Sequence, residues 1–294
     1  MYNIIKHRKI WFSISMALIT ITIIAAIAYG FNLGIDFTGG SLLQIKYEGE
    51  RPSTEEINTQ LSEVPDLGEV NVQTTGDDGF ILKMGFISNE QRQEVLYQLT
   101  GATEESFESI GPVIGEELKR KSWVAILLVL IGIVLYLSWA FRGVSKGPVP
   151  SWWYGISALG ALAHDVIITL GVFLIIGHFF GVELNIMFIT AILTVLGYSV
   201  NDTIVVFDRI REGLKTSTKD TFVEVVNEAV NHTITRSLNT SLTTLFVLAA
   251  LFLFGGETIK YFVLALMIGI ITGTYSSIFI ASPLLLWGHK ILKR

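Results

Sequence analysis

The sequence contains no cysteine, which excludes disulfide bonds, thiol nucleophiles and thiolate metal sites. Charged residues are scarce as well, at 16% of the 294 residues against about 25% in soluble domains. Apolar residues take their place: 51% of the chain is hydrophobic, and the mean hydropathy is +0.56. This composition indicates a membrane protein.

Six long apolar runs each approach the ~20 residues that a helix needs to cross a bilayer. They lie at 10–29, 123–141, 152–177, 185–207, 237–254 and 259–287. We therefore predict an α-helical membrane protein with six transmembrane helices. The first run ends in the small-residue pattern AAIAYG, but it exceeds the roughly 7–15 apolar residues of a signal peptide, which favours a retained anchor over cleavage.

The basic residues predict the orientation of these helices. If the N-terminus is cytoplasmic, 13 of the 21 Lys and Arg residues lie on the cytoplasmic side. Seven of the other eight lie in or beside one long segment, where the positive-inside rule has little force. Both termini are therefore predicted to be cytoplasmic, and the long segment is predicted to be periplasmic.

That segment, residues 30–121, has the pattern of a small folded domain between the first and second transmembrane helices. Strands are predicted at 41–47, 69–75, 79–86 and near 104–110, with a hairpin turn at GDDG, 76–79. Two helices fit between them, with capping boxes at Ser53 with Glu56 and at Ser88 with Gln91. The order βαββαβ is typical of a ferredoxin-like α+β domain. Its 17 acidic residues, against 7 basic ones, form either a solvated surface or a docking face for a basic partner.

The predicted division of the chain is thus an N-terminal tail with the first helix (1–29), the periplasmic domain (30–121), and helices 2–6 (122–294) with a cytoplasmic loop at 208–236. Within that loop TKDTFVEVVNEAVNHTI, 218–234, has apolar residues at helical spacing: Phe222, Val225, Val226, Ala229 and Val230. It predicts an amphipathic helix that lies on the membrane or against a neighbouring helix.

Several apolar runs carry polar side chains. The fourth contains LGYSVNDTIVVFDRIRE, 196–212, in which Thr194, Tyr198, Asn201 and Asp202 form one stripe, with Asp202 about 12 Å from the cytoplasmic surface. Such a carboxylate normally faces protein or water and has a partner. The fifth run opens with Arg236, Asn239, Thr240 and Thr243 on one face. Arg236 either extends to the membrane surface or meets Asp202.

The third and sixth runs carry the remaining intramembrane features. Asp165 lies near the midplane without an evident basic partner, and His164 beside it makes a poor metal site. In the sixth run Gly269 and Gly273 form a GxxxG pattern, followed by Ser276 and Ser277, which indicates close helix packing.

Four motifs together resemble the SecD/SecF family of protein-export subunits, relatives of the proton-driven RND exporters, and among these the SecF type. They are GIDFTGG (34–40), ALAHD (161–165), LGYSVNDTIVVFDRIRE (196–212) and RSLNTSLTT (236–244). The resemblance implies a protein of the bacterial inner membrane that pairs with SecD. It further implies use of the proton motive force to help move exported, unfolded polypeptide through the SecYEG translocon. Beyond these partners and the lipid bilayer we expect no nucleic acid, cofactor or metal, and no enzymatic activity.

The resemblance also implies site residues. Asp202 and Arg236 match the family's proton pathway, and Asp165, Asn201, Tyr198 and Thr240 are added as candidates from the polar stripes. GIDFTGG is expected at the junction of the first helix and the domain, so that Asp36, Gly39 and Gly40 are candidate junction residues. Asp36 is equally explained as a turn former before two glycines.

Elementary electrostatics agrees with a proton switch, because a guanidinium that moves toward or away from a membrane carboxylate changes its proton affinity. Two other functions stay open. An exporter that acts without SecD would differ in its partner rather than in its chemistry. An intramembrane aspartyl protease would use Asp165 and Asp202 as a pair, although the GxGD setting of such enzymes is absent.

Overall fold

The computed structural model describes residues 2–49, 51–65, 67–144, 148–216 and 221–292. Within them the α-helices are α1 (Arg8–Tyr29), α2 (Ile35–Thr38), α3 (Thr54–Leu61), α4 (Asn89–Gln98), α5 (Pro112–Ala140), α6 (Ser151–Phe180), α7 (Ile186–Thr216), α8 (Phe222–Phe254), α9 (Glu257–Ser276) and α10 (Ser282–Leu292). The strands are β1 (Gly40–Tyr47), β2 (Asn71–Thr75), β3 (Gly79–Met84) and β4 (Ala102–Ile110). Four of the counted basic residues, Lys146, Lys219, Lys293 and Arg294, lie outside these ranges.

Six helical segments in the described chain are long and apolar enough to cross a membrane. They are Ile5–Tyr29, Pro112–Ala140, Ser151–Phe180, Ile186–Thr216, Phe222–Phe254 and Thr258–Leu292. The prediction of six transmembrane helices is confirmed. The chain divides into two compact units: a helical unit formed by residues 1–32 and 124–294, and an α+β unit from Leu33 to Trp123.

The α+β unit contains one four-stranded antiparallel sheet with the strand order β2-β3-β1-β4. The central strand β1 pairs with β3 on one side and with β4 on the other, so that Leu43 lies opposite both Leu82 and Phe107. Helices α3 and α4 follow β1 and β3 along the chain and pack their apolar residues into the core of this unit, where Ile57, Val95 and Leu43 are fully buried. The predicted ferredoxin-like arrangement between helices 1 and 2 is confirmed.

Both helices of this unit begin where the sequence places a capping box. The Ser53 hydroxyl accepts a hydrogen bond from the Glu56 amide, and the Glu56 carboxylate accepts one from the Ser53 amide at 2.9 Å. Ser88 and Gln91 repeat the arrangement at the start of α4. Each cap satisfies backbone N–H groups that lack partners inside the helix and contributes about 1 kcal/mol.

We expect residues 30–121, cut from the helices, to fold alone as a soluble acidic domain. The sheet, its two capped helices and their apolar core are all formed by residues of this segment. Circular dichroism of the purified fragment should show mixed helix and strand with one cooperative thermal transition. A disordered spectrum would contradict a self-contained domain.

In the helical unit, small residues allow α7 and α9 to approach closely. A methyl group on Gly269 would overlap the Val195 side chain, and one on Gly273 would lie 2.9 Å from Cβ of Ser199. The GxxxG pattern therefore marks helix packing, as predicted from the sequence. It also brings Ser199 on α7 against α9, which matters for the site described below.

The sequence predicts one amphipathic helix within the segment 208–236. Helix α7 continues to Thr216, and α8 begins at Phe222 and runs unbroken to Phe254, so most of the loop is helical. The apolar residues at helical spacing, Phe222, Val225, Val226, Ala229 and Val230, are all buried. Four of them join a core cluster with Phe207 and Ile210 of α7, so this segment packs against neighbouring helices. Residues 217–220, where the sequence pattern begins, lie outside the described residues.

The sixth transmembrane segment is not a uniform α-helix. After α9 ends at Ser276, residues Ser277–Ala281 form a π-helical turn, and α10 resumes at Ser282. The Ser282 hydroxyl donates a hydrogen bond to the Ser277 carbonyl at 3.2 Å. Such turns are rare and often occur at functional sites, and this one begins beside two buried carboxylates.

Candidate intramembrane site

Asp165 on α6 is fully buried, and three side chains hold its carboxylate. Oδ2 accepts hydrogen bonds from the hydroxyls of Ser199 on α7, at 2.6 Å, and of Ser276 on α9, at 2.8 Å. Oδ1 lies 2.9 Å from Nδ1 of His164. Three helices thus meet at one carboxylate in the interior of the helical unit.

His164 corrects the interpretation that Asp165 lacks a basic partner. The two residues are consecutive on α6, and side chains at adjacent helical positions do not normally face each other, which is why the sequence does not reveal the contact. The imidazole is 4% exposed and stacks on the Tyr275 ring, with centroids 5.7 Å apart. Its second nitrogen, Nε2, has no hydrogen-bond partner among the described residues.

Asp202 on α7 is 7% exposed and faces the same sixth segment. Its Oδ2 accepts a hydrogen bond from the Ser277 hydroxyl at 3.2 Å. The hydroxyl of Ser237, one residue after Arg236 on α8, lies beside the carboxylate. It has no hydrogen-bond partner among the described residues. Asp202 is therefore less completely held than Asp165.

Arg236 lies close enough to act electrostatically on Asp202, but the described chain contains no direct ion pair between them. The arginine side chain is exposed, whereas the aspartate is buried. The structure thus brings the two predicted residues to neighbouring helices and leaves them apart. In this conformation the carboxylate is held by serine rather than by guanidinium.

The other candidates of the polar stripes surround this pair. Asn201 and Thr240 are exposed, and the Thr240 hydroxyl donates to the Arg236 carbonyl of its own helix at 3.0 Å. Tyr198 is half-buried, and its hydroxyl lies 3.3 Å from that of Thr244 on α8. None of these side chains is hydrogen-bonded to Asp165 or Asp202 in the described structure.

The hydrogen-bond partners of the two carboxylates that the sequence analysis did not identify are serines. Ser276 contacts Asp165 and the next residue, Ser277, contacts Asp202, so consecutive hydroxyls on one helix hold two carboxylates on two others. A sequence signal existed, because a serine pair follows GxxxG directly, but the pattern is equally explained by packing of small residues. In the described part of the chain no three His, Asp or Glu side chains converge as metal ligands.

GIDFTGG forms a short helix followed by two glycines with positive φ. Gly39 and Gly40 have φ of 71° and 134°, in the region that favours glycine. A methyl group on Gly39 would lie 2.8 Å from Cα of Pro112, and one on Gly40 would lie 2.8 Å from the Met84 carbonyl oxygen. The two glycines thus pack β1 against β3 and the start of α5. Asp36 lies in the single turn before them.

Taken together, the fold and the site define a multi-pass membrane protein with one ferredoxin-like domain and two buried, serine-bound carboxylates inside its helical bundle. Residues 92–290 match the family described as "Protein export membrane protein SecD/SecF, C-terminal", and residues 24–50 match the "SecD/SecF GG Motif". The chain belongs to the SecD/SecF family of protein-export membrane proteins.

Individual relatives agree with this assignment over nearly the whole chain. It is 41% identical to a protein translocase subunit SecF of Thermobaculum terrenum, over 99% of this chain and 95% of the relative. The corresponding subunit of Anaerolinea thermophila is 36% identical, over 98% and 94%. The crystal structure of SecDF, a translocon-associated membrane protein from Thermus thermophilus, superposes with a TM-score of 0.84 at 35% identity. This chain is covered completely in that comparison but spans only 39% of the SecDF chain.

Proposed function

We propose that this chain is an accessory subunit of the Sec protein-export machinery. In this proposal it works with SecD to couple the proton motive force to the movement of polypeptides through SecYEG. The family assignment supports a role in export. The solved SecDF chain is more than twice as long as this one, which supports a SecD partner that corresponds to the remainder of that chain. The client is unfolded polypeptide, and the chain is a multi-pass protein of the bacterial inner membrane.

A polar surface on α7 and α8 is the observation that indicates a second membrane subunit. Arg236, Asn239 and Thr240 on α8 and Asn201 on α7 are exposed on the isolated chain, inside segments that are apolar enough to span a membrane. A charged side chain facing lipid at the centre of a helix costs about 2.5–3.5 kcal/mol on insertion scales. A second membrane subunit that covers this face removes the cost, which favours a complex with SecD over a lone exporter.

The two buried carboxylates support proton coupling rather than proteolysis. Asp165 and Asp202 accept hydrogen bonds from different serines, and their carboxylates share no hydrogen-bond partner within the described chain. The two catalytic carboxylates of an aspartyl protease lie about 3 Å apart and share one proton. We therefore assign no enzymatic role to this pair. Asp202, with Arg236 nearby and outside a direct ion pair, is the residue that takes up and releases the coupled proton.

The orientation follows from the basic residues. Both termini are cytoplasmic, and the ferredoxin-like domain, with its excess of acidic residues, is periplasmic. GIDFTGG then lies where the first helix meets the domain, and Asp36, Gly39 and Gly40 belong to that junction.

Two measurements test the function. We expect the chain, solubilised in mild detergent, to copurify with a second six-helix protein of the SecD type. We expect inverted membrane vesicles that contain the complex to export a presecretory polypeptide faster when a proton gradient is present, and a protonophore to remove that gain. Purification of the chain alone would favour the lone exporter, and export that ignores the protonophore would contradict proton coupling.

A further inference from the structure

We infer that His164 and Asp165 together form a second proton-binding site in the bundle, coupled to Asp202 through the consecutive hydroxyls of Ser276 and Ser277. The inference rests on the proposed function, because it concerns the path of the coupled proton. It adds an imidazole, which the aspartate and arginine assignment does not include, and it gives the two serines a role.

The hydrogen-bond geometry suits an ionised Asp165. Its two oxygens have three partners, His164 Nδ1 at 2.9 Å, Ser199 Oγ at 2.6 Å and Ser276 Oγ at 2.8 Å, and each partner can donate one hydrogen. A protonated carboxyl would have to donate one of these bonds itself. The surrounding hydroxyls therefore stabilise the carboxylate, and the neutral imidazole donates from Nδ1.

His164 Nε2 is the atom that can take up a proton. With the ring hydrogen on Nδ1, Nε2 carries a lone pair, and it has no partner among the described residues. A proton added there changes the charge of the His164–Asp165 pair from −1 to 0 without breaking any of the three bonds to the carboxylate. Because a lone buried charge is costly and a hydrogen-bonded ion pair is much less so, the pair gains from the proton.

The groups around His164 and Asp165 supply no other positive charge to balance the carboxylate in the described chain. From the sixth segment Tyr275 stacks on the imidazole and donates its own hydroxyl hydrogen to the Trp11 carbonyl of α1 at 2.9 Å. From α7 the titratable group is Asp202, and α1 presents the neutral Ser15. His289 of α10 is bound to the Pro148 carbonyl. Among the described residues, His164 is the basic side chain that contacts Asp165 directly.

The link to Asp202 runs through two helices. Ser276 holds Asp165 and Ser277 holds Asp202, at the point where α9 gives way to the π-helical turn. Ser199, the second hydroxyl on Asp165, lies on α7 about one turn before Asp202. A proton on His164 strengthens the attraction between the imidazole and the Asp165 carboxylate. The hydrogen bonds that Ser199 and Ser276 donate to this carboxylate then become weaker. The helices that carry these serines also position Asp202, so its surroundings change with the state of the pair.

His164→Asn separates proton binding from structure. The side-chain amide nitrogen of asparagine takes the place of Nδ1 and keeps a donor for Asp165, but it offers nothing in place of Nε2. In the complete complex, in inverted vesicles, we expect normal amounts of complex and at least about a tenfold loss of gradient-dependent export. A purely structural role would not change the pH dependence of stimulation, whereas the variant should lose the part of that dependence that proton uptake at His164 contributes.

Matched variants control for the substitution itself. His178→Asn removes an exposed imidazole from the same helix and should leave stimulation unchanged. Ser276→Ala should lower stimulation severalfold, whereas Ser157→Ala removes a buried α6 hydroxyl that has no hydrogen-bond partner within the described residues and should not. If His164→Asn keeps full stimulation with the wild-type pH profile, the second site is wrong. Equal behaviour of Ser276→Ala and Ser157→Ala would overturn the coupling.

The same assay distinguishes failure of the His164 site from failure of the proposed function. Wild-type vesicles that show no gradient-dependent stimulation would remove the proposed function, whereas an intact wild-type response with an unaffected His164→Asn removes only this inference. If His164→Asn does not assemble, the chain can be given a 15N label and His164 kept as its only histidine of the original five, in complex with unlabelled partner. An Nε2 resonance that does not change at any pH at which the complex stays assembled would then overturn the site.

Discussion

Asp202→Asn is expected to abolish the stimulation of export by a proton gradient while the protein still inserts and assembles. Asparagine keeps the size of the side chain and can still accept the hydrogen bond from Ser277, but it cannot take up a proton. Arg236→Met, alone or combined with Asp202→Asn, should have the same effect, because the charge that acts on the carboxylate is gone. One proton that crosses 100 mV supplies ~2.3 kcal/mol, so loss of coupling should remove a roughly 50-fold bias.

The comparison that decides this prediction is between the site and charged residues on the same helix. Asp208→Asn and Arg209→Met alter α7 residues that make surface ion pairs with Arg211 and Glu212, and both should retain stimulation. Arg236→Lys should be impaired, since an ammonium lacks the planar fork of a guanidinium. A double variant Asp202→Asn with Arg236→Met that keeps full stimulation would reduce the pair to a structural feature, because buried charges can often be replaced without loss of stability.

Gly39→Ala should destabilise the ferredoxin-like domain by about 3 kcal/mol or more. An alanine at the φ of 71° and ψ of 164° of Gly39, a region essentially restricted to glycine, costs about 1–3 kcal/mol, and here its methyl group would also meet the backbone of Pro112 at 2.8 Å. Backbone atoms in a sheet-to-helix contact cannot move aside as a flexible side chain does. Urea unfolding of a fragment that spans Leu33–Trp123 measures the change.

Gly68→Ala is the matched control for this substitution. Gly68 has the same φ of 71°, but a methyl group there would meet nothing within 4 Å. It should therefore cost only the backbone strain of a positive φ, about 1–3 kcal/mol, and less than Gly39→Ala does. If both variants lose the same stability, the close approach of Gly39 to Pro112 contributes nothing. Gly39 and Gly40 would then serve only to form a turn.

Much of the fold could be predicted from the sequence because its signals are local. Apolar length identifies the membrane helices, and capping boxes at Ser53 and Ser88 identify the starts of the two domain helices. The segment 208–236 shows what such local signals leave out. Apolar residues at helical spacing show that a face is buried, but they do not show that the helix continues without a break into the next membrane segment at Arg236.

The site was less predictable, because its contacts join distant parts of the chain. Asp165 and Asp202 stand out as carboxylates in apolar runs, but their partners are hydroxyls 34 to 111 residues away in sequence. Serines do not stand out in membrane helices, where they also serve packing. His164 was visible beside Asp165, and only the coordinates show that the two neighbouring side chains turn toward each other.

The π-helical turn at Ser277–Ala281 has a consequence for how this segment tolerates insertions and deletions. A π turn holds one residue more than an α turn, so it is equivalent to a single-codon insertion that the fold has absorbed. Deletion of one residue within it would restore a continuous α-helix with the downstream faces in place, whereas the same residues wound as a regular α-helix would rotate everything downstream by about 100°. Leu285 and Leu286, which are buried in the bundle, would then turn away from their neighbours. The π-helical turn thus allows the serine face and the leucine face of one helix to point correctly at the same time.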